Sequence, residues 1–342
     1  MIQLELSYKT SVIGLRQYLD TTNDWMLQLV NRHEHSKKLH SILKESDHFC
    51  QELNVNTETD NLLTPTENAR KTKKMAKNAG LKQLESRWQD KPLHGQFATR
   101  ANIADVDKSA THQWLSSSGL KGETEGFILA AQDQSLFTRN FQANILHNGA
   151  DPSCRFCDDK IETIDHLVSG CPILAPGEYT NRHNRVGQYL HWKICQRFNI
   201  ETKTPNWYEH HPDPVTEGDK CTILWDFPIH TDRTIQANRP DIVVKDKQNK
   251  TCLLIDMSIP SDRNVSAKVF EKLSKYKDLE IEIQKMWHLK TTTVPVVVGA
   301  LGIIKKGTQQ FLDKIPGNPS LSEIQKIVLN STAHILRRTL SI

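Results

Sequence analysis

The sequence predicts an α+β protein: a helical N-terminal half, a small zinc knuckle, and then an α/β domain built on a small mixed sheet. Three observations lead there. Apolar residues recur at three- and four-residue spacing through much of the first 150 positions. Three cysteines and a histidine crowd into residues 154–171. From residue 222 onward, short apolar runs bounded by turn residues give way to helical periodicity.

Composition sets bounds on this reading. A chain of 342 residues with 37% hydrophobic and 25% charged residues accommodates two or three modest domains joined by polar connections. Its net charge of +4 is too small to imply a polyanion partner, so any nucleic-acid surface has to come from local clusters. No apolar run approaches the roughly 18 residues of a membrane span, and no apolar run follows a basic start as in a secretory signal. The expectation is a soluble, intracellular protein with no membrane partner. Seven cysteines in a chain this long are too few and too unevenly placed for a disulfide scaffold, and the cluster at 154–171 points to metal.

Residues 1–90 read as a helical, basic, linker-like region. Leu4, Val12, Leu15, Tyr18, Leu19, Met26, Leu29 and Val30 keep helical spacing up to about residue 50. The polar stretch Gln51 to Glu67, with Pro65, reads as a loop. A basic run follows on a helix ending near Trp88: Arg70, Lys71, Lys73, Lys74, Lys77 and Lys82. It suits phosphate binding or a nuclear-import address, or else is a solvated helix face. Residues 91–150 are again helical, with Glu123 to Leu146 forming one helix or two before the turn residues Asn148-Gly149-Ala150-Asp151-Pro152.

Residues 151–180 carry the knuckle. Cys154, Cys157, His166 and Cys171 form C-x2-C-x8-H-x4-C, two ligands from a tight turn and two from a short helical segment, which together close a tetrahedron around zinc. Four protein ligands leave no open position, so the zinc is structural. A loop this small has little core of its own, and metal would supply much of its folding free energy. His183, His191 and Cys195 lie close downstream as alternative ligands. The helix expected over 173–198 has one apolar face and one basic face; it either delivers Arg182 and Arg185 to a backbone phosphate or packs the knuckle onto the next domain. Residues 201–219 read as a surface loop.

The α/β domain is expected over residues 181–319, with a C-terminal helix at 320–342. Strands are predicted at Thr222 to Ile229, Asp241 to Lys245 and Thr251 to Ile259, the last two joined by the polar loop Asp246 to Lys250. A hairpin symmetrical about that loop sets Asp241 opposite Asp256, with Cβ atoms roughly 5 Å apart. Two carboxylates so close repel unless a cation lies between them, and oxygen ligands of this kind suit Mg²⁺ or Mn²⁺. A helix follows, with the apolar stripe Val265, Val269, Leu273, Tyr276, Leu279, Ile283 and Met286. At about 100° per residue, Lys272 falls only about 25° from the centre of that stripe, while Lys268 and Lys275 fall at about 65° and 85°. A lysine on the sheet-facing side of a helix calls for a negative partner, and Asp241 and Asp256 are available; otherwise Lys272 snorkels past the sheet edge to solvent. Val294 to Gly299 reads as a central strand, Gln309 to Ile315 as a short helix, and Ser320 or Ser322 with Glu323 as the cap of the last helix.

The order Cys-Cys-His-Cys knuckle, Arg239-Pro240-Asp241, Asp256, then Lys272-x-x-Lys275-Tyr276 resembles the C-terminal region of non-LTR retrotransposon reverse transcriptases of the restriction-like-endonuclease lineage. The stretch from Glu123 to Asn140 is also similar to the segment that precedes the knuckle in that family, so the resemblance covers roughly residues 90–300. It implies a nuclease domain of the PD-(D/E)xK fold that nicks DNA with a divalent metal, with nuclear localisation, the cytoplasm as the alternative, and DNA and possibly element RNA as partners. By position, Asp241 and Asp256 would bind Mg or Mn, Lys272 would be the catalytic lysine moved from its usual strand to the helix, and Lys275 and Tyr276 would support it. Arg70, Lys71, Lys73, Lys74, Arg182 and Arg185 are the candidate nucleic-acid contacts. Two departures stand out. Asp256-Met257-Ser258 lacks the lysine that commoner members carry two residues after the acid, and no Tyr-x-Asp-Asp or Phe-x-Asp-Asp polymerase stretch occurs. The expectation is therefore a retrotransposon-derived endonuclease without polymerase activity, or a remnant that binds nucleic acid without cutting it.

Overall fold

The computed structural model describes residues 2–37, 40–117 and 119–341. Met1, Lys38, Leu39, Ser118 and Ile342, which fall within the predicted helical segments, lie outside the described residues. The chain divides into two compact units, Met1–Pro92 and Leu93–Ile342.

The first unit is helical: α1 (Ile2–Thr21), α2 (Trp25–Ser36), α3 (Ile42–Leu53) and α4 (Pro65–Gln89). It has a core of its own, made by Leu6, Val12, Ile13, Phe49, Leu53, Val55 and Ala76. Of the apolar positions read from periodicity, Leu4, Leu15, Met26, Leu29 and Val30 are exposed. Helical spacing selects a stripe but not which of two adjacent stripes meets a neighbour. Pro65 opens α4 at its first turn rather than sitting in a loop, held by a capping box in which Thr64 Oγ1 accepts from Glu67 N and the Glu67 carboxylate accepts from Thr64 N. At Gly80 a Cβ would lie 2.3 Å from Leu6 Cδ1, so a larger residue there would force the Leu6 side chain aside.

The second unit is α+β. Helices α5 (Gln96–Ala101), α6 (Lys108–His112), α7 (Trp114–Ser117), α8 (Gly122–Gln132), α9 (Arg139–Asn144) and α10 (Ile164–Ser169) lead through a π-helical turn at Ala175–Tyr179 into α11 (Thr180–Arg197). The Glu123 to Leu146 segment is thus two helices. Then come β1 (Val215–Glu217), β2 (Cys221–Trp225), β3 (Ile242–Asp246) and β4 (Thr251–Ser258), followed by α12 (Val265–Lys275), α13 (Lys277–Trp287), β5 (Lys290–Val297), α14 (Thr308–Leu312) and α15 (Leu321–Leu340). The five strands form one mixed sheet in the order β1-β2-β3-β4-β5, antiparallel except for the parallel β4–β5 pair.

Both faces of the sheet are covered. Ile223, Ile242, Val244, Ile255 and Met257 pack with Leu190 and Ile194 of α11 and with Ile324 and Val328 of α15. Leu224, Val243, Cys252 and Leu254 pack with Tyr276, Leu279 and Ile283. Neighbouring strand residues divide between the two clusters, as a period-2 pleat requires. Three sequence expectations change here. β5, read as a central strand, is an edge of the sheet paired with β4; its apolar run reflects side chains packed on both of its faces rather than strands on both sides. β1 lies within the segment read as a surface loop; it is a three-residue edge strand whose outer two residues are exposed, so it carries no apolar signature. The helix expected as one piece across 265–286 breaks at Tyr276, which has φ −104° and ψ 10°. Ser320 caps α15, its side chain accepting from Glu323 N. Among the described residues, no helix is long and apolar enough to cross a membrane.

Candidate active site and metal centre

The β3–β4 hairpin pairs Ile242 with Ile255, and the same register continued by one residue sets Asp241 beside Asp256 at the end of the sheet. The Met257 backbone N–H donates to Asp241 Oδ2 at 2.6 Å, which fixes that carboxylate against β4. Asp256 is buried, 1% exposed, on the face covered by α12 and α13.

Three side chains converge on Asp256. Lys272 Nζ forms an ion pair with Oδ2, and Lys275 Nζ lies 3.6 Å from Oδ1. The Tyr276 hydroxyl donates to Oδ1 at 2.5 Å and accepts from the Lys275 ammonium at 2.8 Å. Tyr276 reaches this position because it breaks the helix, and burial together with the Asp256 charge holds its phenol far above its ordinary pKa. Lys268, by contrast, pairs with Glu271 at 2.6 Å. Asp256 Oδ2 is buried without a hydrogen-bond partner of good geometry; the Lys272 ammonium faces it as a charge.

Asp241 has a partner that sequence reasoning did not assign to it. His183 Nε2 lies 3.1 Å from Asp241 Oδ2. Burial alone would lower the His183 pKa, but the Asp241 hydrogen bond and charge outweigh it and the net shift is upward. Burial likewise pushes Asp241 up, and His183 and the Met257 N–H bring it below the usual carboxylate value. A signal was present: His183 shares one helical stripe with Gly187, Leu190 and Ile194, the buried face of α11. His183, Asp241, Asp256, Lys272 and Lys275, with Tyr179, Arg239, Met257, Ser258 and Ile259, line an open cleft of about 360 Å³.

The four knuckle residues also meet. Donor atoms of Cys154, Cys157, His166 and Cys171 all lie within 4.8 Å of one another, and the cluster could hold a zinc ion. Cys154 and Cys157 come from the turn after the Ser153↔Ile161 bridge, His166 from α10, and Cys171 directly follows Gly170 at the end of α10. Burial draws the His166 imidazole below its ordinary pKa, toward the neutral form in which it ligates a metal. Burial pushes the Cys154 thiol up to about 11, whereas the N–H groups of Asp159 and Lys160 draw Cys157 down. A fully buried carboxylate that the sequence did not single out braces the turn: Glu162 accepts from Arg155 Nε and Nη2, both at 2.8 Å, and from Arg139 N at 2.8 Å. Arg155 Nη1 in turn donates to Thr339 O on α15 at 3.0 Å. His183, His191 and Cys195 do not substitute as knuckle ligands: His183 faces Asp241, and the other two belong to a separate cluster with His210.

The nucleic-acid candidates divide. Arg182 is 2% exposed, donating to Thr332 Oγ1 at 2.9 Å and Val168 O at 2.7 Å, and burial lowers its pKa to about 10. It ties α10, α11 and α15 together rather than presenting a free guanidinium to phosphate. Arg185 is exposed, beside Arg338, His211 and His334 in a second cleft. In the first unit Arg70, Lys71, Lys73 and Lys74 are exposed on α4; Lys71 pairs with Asp60 at 3.1 Å and Lys73 donates to Ser11 Oγ at 3.0 Å.

No protein-family model matches the chain, and no curated protein matches it.

Proposed function

We propose that this protein is a retrotransposon-derived, divalent-metal-dependent DNA endonuclease whose zinc knuckle helps to hold nucleic acid. The observation that carries the reading is the convergence of Asp241, Asp256 and Lys272 at one end of the β3–β4 hairpin, in a cleft open to solvent.

The donor set suits a hard cation. Mg²⁺ is typically bound by one or two carboxylates plus waters and substrate phosphate, and Asp241 and Asp256 are two such carboxylates at the cleft. Bound there, a divalent metal would make a water more acidic and neutralise phosphate charge. The protein's own groups do the rest. Lys272, and Lys275 from farther out, place positive charge where the pentacovalent phosphate accumulates negative charge. The Met257 N–H and the His183 ring orient Asp241. Water attacks phosphorus and gives up a proton to solvent, the P–O3′ bond breaks, and the 3′ oxygen takes a proton from solvent, leaving a 5′-phosphate and a 3′-hydroxyl.

One observation favours a second reading, a module that binds DNA without cutting it. Lys272, Lys275 and Tyr276 already satisfy much of the Asp256 charge, and His183 that of Asp241. Supercoiled plasmid with Mg²⁺ or Mn²⁺ separates the two. The expected result is nicking by the wild type and a fall of about 100-fold or more for Asp241→Asn, Asp256→Asn and Lys272→Met. Equal nicking by these variants, or DNA binding with no nicking by the wild type, rules out the enzyme.

A further inference from the structure

We propose that His191, Cys195 and His210 form a second metal site, separate from the knuckle, that takes a borderline-soft divalent cation, zinc by the chemistry of its donors. The site is independent of the nuclease reading.

His191 and Cys195 stand four residues apart on α11, so both project from one face of the helix. His210 arrives from the opposite side, directly after the short 3-10 turn Trp207–Glu209. All three are buried, and one donor atom from each lies within 4.8 Å of the others. His191 Nδ1 is 2.8 Å from His210 Nε2 and 3.4 Å from Cys195 Sγ. His191 Nδ1 offers one lone pair or one proton, yet two neighbours converge on it. A hydrogen bond satisfies one of them, whereas a cation among the three donors engages all.

The remaining geometry agrees. Thr216 Oγ1 lies 3.5 Å from His191 Nε2, a partner on the outer nitrogen of the kind that orients ligating imidazoles. Tetrahedral zinc, with bonds of about 2.0 to 2.3 Å, sets donor atoms roughly 3.3 to 3.8 Å apart. The Cys195 distance already fits, and the two imidazoles need to open by only about half an ångström. Imidazole with thiolate selects zinc over magnesium or calcium. On binding, the Cys195 thiol releases its proton to solvent. Three protein donors leave the fourth position to a water molecule.

The consequence is a staple. Residues 201–214 hold no regular structure apart from the turn at Trp207–Glu209, and they lead into the edge strand β1. A metal at His210 fixes this segment to α11, the helix that presents His183 to the cleft.

The test counts zinc per chain in the full-length protein by elemental mass spectrometry after growth in zinc and gel filtration. Two equivalents are expected in the wild type, one in Cys195→Ala with His210→Asn, and one in Cys154→Ser with Cys157→Ser. Fewer than two in the wild type, or two retained by Cys195→Ala with His210→Asn, overturns the site. Cobalt titration of the wild type needs no folded variant: two phases are expected, the one-thiolate site giving weaker sulfur-to-cobalt charge transfer than the three-thiolate knuckle. A single phase overturns it.

Discussion

At the scale of single residues, the contact between His183 and Asp241 makes stability depend on pH in a defined direction. His183 has its pKa raised above 6.5, so its contribution is fully present below that value and is lost as pH rises through the folded pKa. Asp241 is depressed below 3.8, so its contribution is present above 3.8 and is lost as pH falls through the folded pKa. Both act together between those ordinary values. The urea midpoint of the wild type should therefore exceed that of His183→Gln most at about pH 5, and the gap should shrink by about pH 9. A gap that stays constant or widens with pH would remove the charged pair. Asp241, Asp256 and Lys272 were legible from residue spacing alone, because hairpin register and helical phase are short-range rules. The partner of Asp241 lies 58 residues away in sequence, and nothing local to Asp241 announces it.

At the scale of elements, the approach of α11 to the sheet is what positions His183. Gly187 makes it possible: a Cβ there would lie 2.4 Å from Trp225 Cη2 and 2.7 Å from Met257 Cε. Met257 is also the residue whose N–H holds Asp241. Gly187→Ala should therefore cost about 1–3 kcal/mol through overpacking, read as a lower urea midpoint, and should depress nicking as well. An unchanged midpoint would show that α11 has slack at this point. The break between α12 and α13 belongs to the same scale. The stripe Val265 to Met286 reads as one helix because its period survives the break; the turn at Tyr276 coincides with the contact of its hydroxyl with Asp256, which the period does not register. β1 was missed for the opposite reason, since an exposed edge strand of three residues has too little apolar pattern to read.

At the scale of the molecule, the knuckle is built into the second unit. Cys154 and Cys171 lie in one buried cluster with Val265, Val269, Ile335 and Leu336, and Arg155 bonds to the end of α15. Loss of a zinc ion held by the cluster should be felt along that helix. Cys154→Ser with Cys171→Ser is expected to melt about 5 °C or more below the wild type. It should also speed amide exchange at residues 335–340, measured by hydrogen–deuterium exchange. Unaltered exchange there would mean that the knuckle folds as an appendage.

The sequence by itself determined the α+β class, the four knuckle positions, the β3–β4 hairpin and the phase of Lys272. Each is set by periodicity or by spacing within a few turns of chain. The tertiary structure alone decided that Arg182 is a buried strut, that His183 serves Asp241, and that His191, Cys195 and His210 meet. Those outcomes depend on which face of α11 the sheet covers, and on where a segment without its own apolar pattern comes to rest. Both are fixed by long-range packing that no local window of sequence contains.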